Sequence, residues 1–291
     1  MSAAEEHAVD LGVLRLSVRE HRGGAPPLLA LHGLASNARW WDLVAEQLAG
    51  AYRVIAVDQR GHGRSDRPDS GYEFDDVVAD LHGLVGRLEL PPAVVVGHSW
   101  GASVALAYAA AHSGATLGVI CVDGGFLRVR DHFGDSWDLA AVAMRPPEMH
   151  GLTRERIHQW IAGSALAEGS DPDTAAEIML GNLEAGDSTG EFRPRLHVDR
   201  HMQIAHALWR EDPDALLRAQ RKPVLLVPAG GDGALRQAKE GAVTLALAAL
   251  GDRGHVRWVE GGHDIPVQRP AQVAAAIADF VAGLAAVASP V

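Results

Sequence analysis

The chain carries six short apolar runs separated by segments with helical patterning. The runs are nearly continuous in apolar residues rather than alternating, as in strands that are buried on both faces of a parallel sheet. They span residues 28–31, 54–57, 93–96, 117–122, 224–227 and 255–259. Helical patterning falls in residues 38–48, 74–88, 99–111, 234–250 and 271–284. The alternation predicts an α/β fold with a doubly wound sheet. Residues 9–18 alternate more and predict an antiparallel edge.

One long segment interrupts this alternation. Residues 126–219 show helical patterns and loops but no convincing strand. We interpret them as a helical cap, or lid, that is inserted over the carboxyl edge of the sheet. Residues 1–125 and 220–291 would then form the core domain. The alternative interpretation is a second helical subdomain that takes no part in chemistry.

The charge balance argues against two classes of partner. The formal net charge of the 291 residues is −11, and no run of Lys or Arg interrupts it. A negative surface does not attract nucleic acid or an anionic membrane, so neither is expected as a partner. The chain starts without a signal-peptide pattern and has no apolar run that could span a bilayer, which predicts a cytoplasmic protein. A homodimer is left open.

The cysteine content limits which disulfides and metal sites the chain can form. Cys121 is the single cysteine, so no internal disulfide can form. It lies in an apolar run and is expected to be a small core residue. The Cys and His spacings of a zinc site are absent from the sequence, and no metal site is predicted.

The sharpest chemical signal is Gly97-His98-Ser99-Trp100-Gly101, which matches G-x-S-x-G. It lies between a predicted strand and an Ala-rich predicted helix, the context in which this pattern forms a strained turn that presents the serine. The strand and the helix crowd together at such a turn, and Gly97 and Gly101 give them room. We predict Ser99 as a nucleophile, and the alternative is a serine with a purely structural role.

A serine hydroxyl needs a base to take its proton. The best-placed histidine is His263, which follows the last predicted strand and precedes the last predicted helix. The glycine pair before it would let the imidazole swing over the sheet edge toward Ser99. We therefore predict His263 as the base.

A carboxylate must fix the tautomer of that histidine and stabilise the imidazolium. Asp123 follows the run 117–122, and Asp232 follows the run 224–227. Both fit the chain order Ser, Asp, His. We favour Asp123 because it comes directly off a strand, whereas Asp232 lies in a glycine-rich loop and precise sites prefer rigid elements. The other aspartate would be a solvated or capping residue.

Acyl transfer also requires donors for an oxyanion. Gly33 permits a turn that could aim the backbone N–H of Leu34 inward, and the backbone N–H of Trp100 would be the second donor. The residues expected to line a substrate pocket are Gly33, Trp40, His98, Phe126, Trp137 and His201. Such an aromatic lining would suit an apolar or aromatic ester or lactone. The alternative is that many of these aromatic residues form the core of the cap itself.

Together these segments resemble the α/β-hydrolase superfamily, in its serine-nucleophile, cap-containing branch. The segments that match are residues 31–33, 58–65, 97–101 and 262–264. The resemblance implies an eight-stranded, mostly parallel sheet flanked by helices, a helical cap, a Ser–His–acid triad and no cofactor. It also implies that the D-x-R-G-x-G-x-S segment at 58–65 is mostly a structural turn.

The chain departs from the family pattern at the acid. The family commonly places it after the strand at 224–227, in a pattern that contains a proline, and residues 229–235 have none. Some branches, including haloalkane dehalogenases and certain lactonases, carry the acid where Asp123 stands. Dehalogenase and epoxide hydrolase activities are excluded by the resemblance itself, since those enzymes use an aspartate nucleophile and this chain has Ser99.

The sequence thus predicts a serine hydrolase that cleaves a small carboxylic ester or lactone through an acyl-enzyme on Ser99. A carbon–carbon bond hydrolase, an amidase or a cofactor-free perhydrolase with the same triad is the alternative of the same class. A ligand-binding or receptor protein of hydrolase fold is the alternative of another class.

Overall fold

The computed structural model describes residues 4–186, 190–231 and 233–288. Its main sheet has eight strands in the order β1-β2-β4-β3-β5-β6-β9-β10. They are β1 (Glu5–Asp10), β2 (Arg15–His21), β3 (Leu28–Leu31), β4 (Val54–Asp58), β5 (Ala93–His98), β6 (Thr116–Val122), β9 (Val224–Val227) and β10 (Gly254–Val256). Strand β2 runs antiparallel to β1 and β4, and the pairs from β4 to β10 are parallel. The predicted eight-stranded, mostly parallel sheet is confirmed.

The central strands form because both of their faces are covered. Alternate residues of a strand point to opposite faces, and here they enter two separate hydrophobic clusters. Leu28 and Ala30 belong to one cluster, whereas Leu29 and Leu31 belong to the other. All four side chains are buried. This explains why the apolar runs are continuous rather than alternating.

Helices supply the cover on both faces. Their bounds are α1 (Asp42–Gln47), α2 (Phe74–Arg87), α3 (Trp100–Ala111), α4 (Val129–Phe133), α5 (Trp137–Met144), α6 (Arg154–Ala162), α7 (Pro172–Leu180), α8 (Val198–Arg210), α9 (Pro213–Arg218), α10 (Gly233–Leu250), α11 (Ile265–Gln268) and α12 (Pro270–Ala288). The helix expected at 38–48 begins instead with a 3₁₀ turn, Ala38–Trp41. No helix within the described ranges is long and apolar enough to cross a membrane.

Two strand predictions differ from the structure. Residues 9–18 are not one edge strand, because the chain turns at Gly12 (φ 86°) and forms a hairpin of β1 and β2. The strand expected at 255–259 ends at Val256. The chain still runs beside β9, and Val259 forms an isolated bridge with Ala229. The ladder is interrupted there because Pro228 has no N–H to donate.

The segment 126–219 holds α4 to α9 and adds no strand to the main sheet within its described residues. The expectation that it contains no strand is wrong, since β7 (Leu183–Ala185) and β8 (Phe192–Pro194) form a small antiparallel pair. Each has only three residues, too few for a readable alternation.

Hydrogen bonds tie this segment to loops that follow the carboxyl ends of strands. Asn37, after β3, donates to the carbonyl of Ile178 (2.9 Å), and Gln268, after β10, donates to the carbonyl of Ala165 (2.8 Å). The segment therefore lies at the edge of the sheet where parallel strands end.

Candidate active site

Ser99 lies at a sharp turn between β5 and α3. Its backbone has φ 54° and ψ −123°, so the helix begins one residue later than the pattern at 99–111 suggested. A Cβ at Gly97 would lie 2.0 Å from the carbonyl oxygen of Gly101, and a Cβ at Gly124 would lie 2.3 Å from that of Ser99. A side chain cannot occupy those spaces. The turn thus holds a serine in a conformation that non-glycine residues rarely adopt.

The hydroxyl of Ser99 begins a chain of hydrogen bonds. Its Oγ lies 2.9 Å from Nε2 of His263, and Nδ1 of His263 lies 2.7 Å from Oδ2 of Asp123. The His263 side chain is 53% exposed, whereas that of Asp123 is 1% exposed. A hydroxyl, an imidazole and a buried carboxylate in this order can move a proton from the serine to the imidazole.

Asp123 follows β6 directly, with a backbone φ of 45°. Its carboxylate also accepts hydrogen bonds from the N–H of Ala229 (2.8 Å) and from Nζ of Lys239 (2.9 Å). Burial raises the pKa of Asp123, but the hydrogen bond from His263 and the charges of His263 and Lys239 outweigh burial and hold this pKa below its usual value. The competing aspartate, Asp232, lies outside the described residues.

Backbone and side-chain contacts hold the loop that carries His263. The N–H of Gly262 donates to Oε1 of Gln268 (2.8 Å), and the carbonyl of His263 lies 2.8 Å from Nε2 of His98. The sequence suggested that the glycine pair lets the imidazole swing over the sheet edge. These contacts instead hold the imidazole in place. Although half of the side chain is exposed, desolvation of the ring by the surrounding protein lowers the pKa of His263. The hydrogen bond to Asp123 and the charges of Asp123 and Asp264 outweigh this desolvation, so the pKa lies above its usual value.

The two predicted oxyanion donors are backbone N–H groups of the residues that follow Gly33 and Ser99 in the chain. A Cβ at Gly33 would lie 3.0 Å from Cβ of Ser99, so the loop after β3 packs directly against the turn. The N–H groups of Leu34 and Trp100 have no hydrogen-bond partner within the described part of the chain. Unpaired N–H groups beside a nucleophile, one of them in the first turn of a helix, can stabilise an oxyanion.

Most side chains that were expected to line a substrate pocket are instead packed in the protein. Trp40 and Phe126 are each 4% exposed and belong to the two core clusters. The ring of Trp137 lies against that of Trp209 inside the segment 126–219, with the ring centroids 5.6 Å apart and the planes tilted by 50°. Nε2 of His201 lies 3.1 Å from the carbonyl of Met144. Trp40 and Phe126 thus pack with residues of the main sheet, and the contact of Trp137 with Trp209 is the one that matches the alternative of a core within the cap itself.

The prediction that His98 lines the substrate pocket also differs from the structure. Its ring is 2% exposed and bonded to the backbone of His263, so it positions the base rather than facing a substrate. Gly33 is the member of the predicted pocket set that packs against Ser99.

The sequence assigned no role in the site to two contributors, although His32 lies in the matching segment 31–33. His32 is fully buried, and its Nε2 accepts a hydrogen bond from the N–H of Gln59 (3.1 Å) while Nδ1 donates to the carbonyl of Gly33 (2.7 Å). It thereby fixes the loop that carries Leu34. Lys239 lies 116 positions from Asp123, and no local pattern reports such a contact.

Among the described residues, no group of three or more His, Cys, Asp or Glu side chains is arranged to hold a metal ion.

This fold and this arrangement of serine, histidine and aspartate define a class. The chain belongs to the alpha/beta hydrolase family, whose model matches residues 28–276. The family resemblance drawn from the motifs is thus confirmed.

Individual relatives are named hydrolases. The chain is similar to 2-(acetamidomethylene)succinate hydrolase of Mesorhizobium japonicum, with 40% identity over 221 residues and 75% of each chain covered. A crystal structure of E-2-(acetamidomethylene)succinate hydrolase superposes with a TM-score of 0.77 at 27% identity, covering 96% of this chain and 99% of that one. Epoxide hydrolase A of Mycobacterium tuberculosis is 26% identical, covering 98% of this chain and 99% of the relative.

Proposed function

We propose that the protein is a serine hydrolase in which Ser99 is the nucleophile, His263 the general base and Asp123 the triad acid. The observation that carries the proposal is the continuous hydrogen-bonded chain from Oγ of Ser99 through His263 (2.9 Å) to the buried carboxylate of Asp123 (2.7 Å). Each of these contacts has the length that proton transfer and tautomer control require.

The reaction follows from this geometry. Oγ of Ser99 attacks the carbonyl carbon of the substrate while Nε2 of His263 takes the hydroxyl proton. The N–H groups of Leu34 and Trp100 hold the oxyanion that forms. His263 then protonates the leaving group, whose bond to the carbonyl carbon breaks and leaves an acyl-enzyme. A water, deprotonated by His263, attacks the acyl carbon and releases the acid and Ser99.

The bond that is cleaved is a carboxylic ester or lactone in this proposal. An amide is the second candidate, because a relative that is 40% identical is named for an acetamido-bearing dicarboxylate. Attack on an epoxide is not proposed for this chain, although some relatives are named epoxide hydrolases. The residue at the turn is a serine and not the carboxylate that such enzymes use.

A fluorophosphonate probe tests the nucleophile without knowledge of the substrate. We expect covalent labelling that maps to Ser99 and is lost in Ser99→Ala. Ser103→Ala is the matched control, because Ser103 lies one turn further along the same helix and donates to Glu211 (2.8 Å). Labelling should survive in that variant.

A substrate panel then identifies which kind of bond the protein cleaves. It should contain p-nitrophenyl esters, lactones, an N-acetyl enamide that carries two carboxylates, and a meta-cleavage diketone. Turnover of the enamide alone would favour the amidase candidate, and turnover of the diketone alone would favour carbon–carbon hydrolysis. A protein that neither labels at Ser99 nor turns over any of them would refute the proposal and favour a ligand-binding role.

A further inference from the structure

Lysine is scarce in this chain, and one of the two copies is buried beside the proposed acid. The 26 basic residues include only Lys222 and Lys239 as lysines. Lys239 lies on α10, is 4% exposed, and places Nζ 2.8 Å from Oδ1 of Asp123. The same Nζ also donates to the carbonyl of Ala229 (3.3 Å). A strongly hydrated ammonium does not enter a protein interior without a compensating partner.

The carboxylate of Asp123 is therefore shared. Its Oδ2 accepts from His263 (2.7 Å) and from Lys239 (2.9 Å), while Oδ1 accepts from the N–H of Ala229 (2.8 Å). A carboxylate that already faces a cation stabilises a second cation less, because the two positive charges repel each other in a poorly screened interior. Protonation of His263 must then occur against the charge of Lys239.

We propose that Lys239 is a positioning residue that holds Asp123 in place and sets the proton affinity of His263. This inference rests on the proposed function, in which His263 must be unprotonated to activate Ser99. Lys239 is expected to keep a larger fraction of His263 in the free-base form near neutral pH than Asp123 alone would allow.

Further titratable groups lie near the imidazole or on the helix of Lys239. Asp264 follows His263 in the chain, and its charge raises the pKa of His263 as that of Asp123 does, while burial and Lys239 lower it. The ring of His98 lies 4.8 Å from that of His263, and burial holds the pKa of His98 at about 3, so it stays neutral. Arg236, on the same helix as Lys239, is paired with Glu240 (2.9 Å).

The pH dependence of inactivation by the fluorophosphonate tests the inference. In Lys239→Met, the midpoint of the acid limb should move up by about one pH unit, because an opposing charge has been removed. Lys239→Arg restores a positive charge and should bring the midpoint back toward the wild-type value. Arg236→Met is the matched control, since it removes a cation from the same helix, and its midpoint should not move.

The outcomes separate the two proposals. If the wild-type protein is not inactivated at any pH, the proposed function fails. If it is inactivated and Lys239→Met keeps the wild-type midpoint, with or without a loss of rate that is uniform across pH, the effect of Lys239 on the proton affinity of His263 is refuted while the nucleophile stands.

A measurement on the wild-type protein covers the case in which Lys239→Met does not fold. In a sample labelled with ¹⁵N-lysine, two Nζ resonances are expected, and the slowly exchanging one belongs to buried Lys239. Its chemical shift should change with the same midpoint as the His263 ring resonances. A Nζ resonance that ignores the titration of His263 would overturn the inference.

Discussion

Nε2 of His98 donates a hydrogen bond to the carbonyl oxygen of His263, at 2.8 Å. The proton must be on Nε2, because a carbonyl oxygen can only accept. Burial holds the pKa of His98 at about 3, so the ring is neutral and its other nitrogen carries no proton. The residue before the proposed nucleophile thus fixes the backbone of the proposed base.

Replacing this donor should lower kcat more than it raises KM. The ring of His98 stacks on that of Trp40, with the centroids 6.0 Å apart. His98→Phe keeps a ring that can stack but loses the N–H, and we expect a decrease of about tenfold in kcat, the equivalent of one hydrogen bond. His98→Gln retains a donor and should lose less. Equal kcat in His98→Phe and the wild type would show that the bond does not position the base.

The two aspartates can be separated by mutation. Asp123→Asn should reduce kcat by about 10³- to 10⁴-fold, because an amide does not stabilise the imidazolium and favours the wrong tautomer. Asp232→Asn should leave kcat within a few-fold of wild type. Circular dichroism should accompany both assays, since Asp123→Asn also leaves buried Lys239 without its counter-charge. Loss of activity in Asp232→Asn alone would reverse the assignment.

The acid limb of the activity profile should reflect His263. The pKa of His263 lies above its usual value of 6.5, and the base acts only when it is unprotonated. The ratio kcat/KM should therefore be low at acidic pH and rise through a midpoint above 6.5. Profiles of wild-type enzyme on any substrate from the panel measure this midpoint. A midpoint well below 6.5 would contradict the pairing with Asp123.

The loop after β3 leaves little space beside the nucleophile. In Gly33→Ala, the new methyl group would lie 3.0 Å from Cβ of Ser99 and 3.3 Å from Nδ1 of His98. We expect a folded protein whose kcat/KM falls by about tenfold or more, since a displaced oxyanion donor costs at least that much. Gly114→Ala is the control, because, apart from its chain neighbours, no heavy atom of the described residues lies within 4 Å of the added Cβ. Full activity in Gly33→Ala would mean that the loop yields freely.

A buried glutamate should make stability depend on pH. Burial raises the pKa of Glu211 from 4.5 to about 7, and its Oε1 finds no hydrogen-bond partner among the residues that the structure describes. The folded protein binds this proton more tightly than the unfolded chain does. Its contribution to the free energy of unfolding is therefore complete below pH 4.5 and is lost as the pH rises through 7.

Substitution of Glu211 by glutamine should remove this loss. We expect Glu211→Gln to be more stable than wild type at pH 8 by about 1–2 kcal/mol, a range reduced for the partial access of this side chain to solvent. At pH 4 the advantage should vanish. Urea unfolding at the two pH values gives the comparison, and Glu148→Gln, at a side chain that is 85% exposed, is the control. An equal difference in the free energy of unfolding between Glu211→Gln and the wild type at both pH values would refute the raised pKa of Glu211.

The parts of the fold that local patterns report were predictable. Continuous apolar runs gave the parallel strands, and the motif around Ser99 located the turn. The strand at 255–259 was overestimated because its end depends on Pro228, the residue that follows the neighbouring strand β9. Aromatic residues such as Trp40 were assigned to a pocket because a sequence does not show which way a side chain packs. The contact of Lys239 with Asp123 joins residues 116 positions apart, beyond any local pattern.

The crowding at the turn also has an evolutionary consequence. A Cβ at Gly97 would lie 2.0 Å from the backbone oxygen of Gly101 in α3, and a Cβ at Gly124 would lie 2.3 Å from that of Ser99, so either change would have to move the backbone of the turn itself. The segment 126–219 is instead attached by separate contacts, such as that from Asn37 to Ile178, which can be exchanged singly. Stepwise mutation can therefore change the segment 126–219, and with it the substrates that reach Ser99, more readily than it can change the turn that holds Ser99. We expect descendants of this gene to inherit their chemistry and to acquire their substrates.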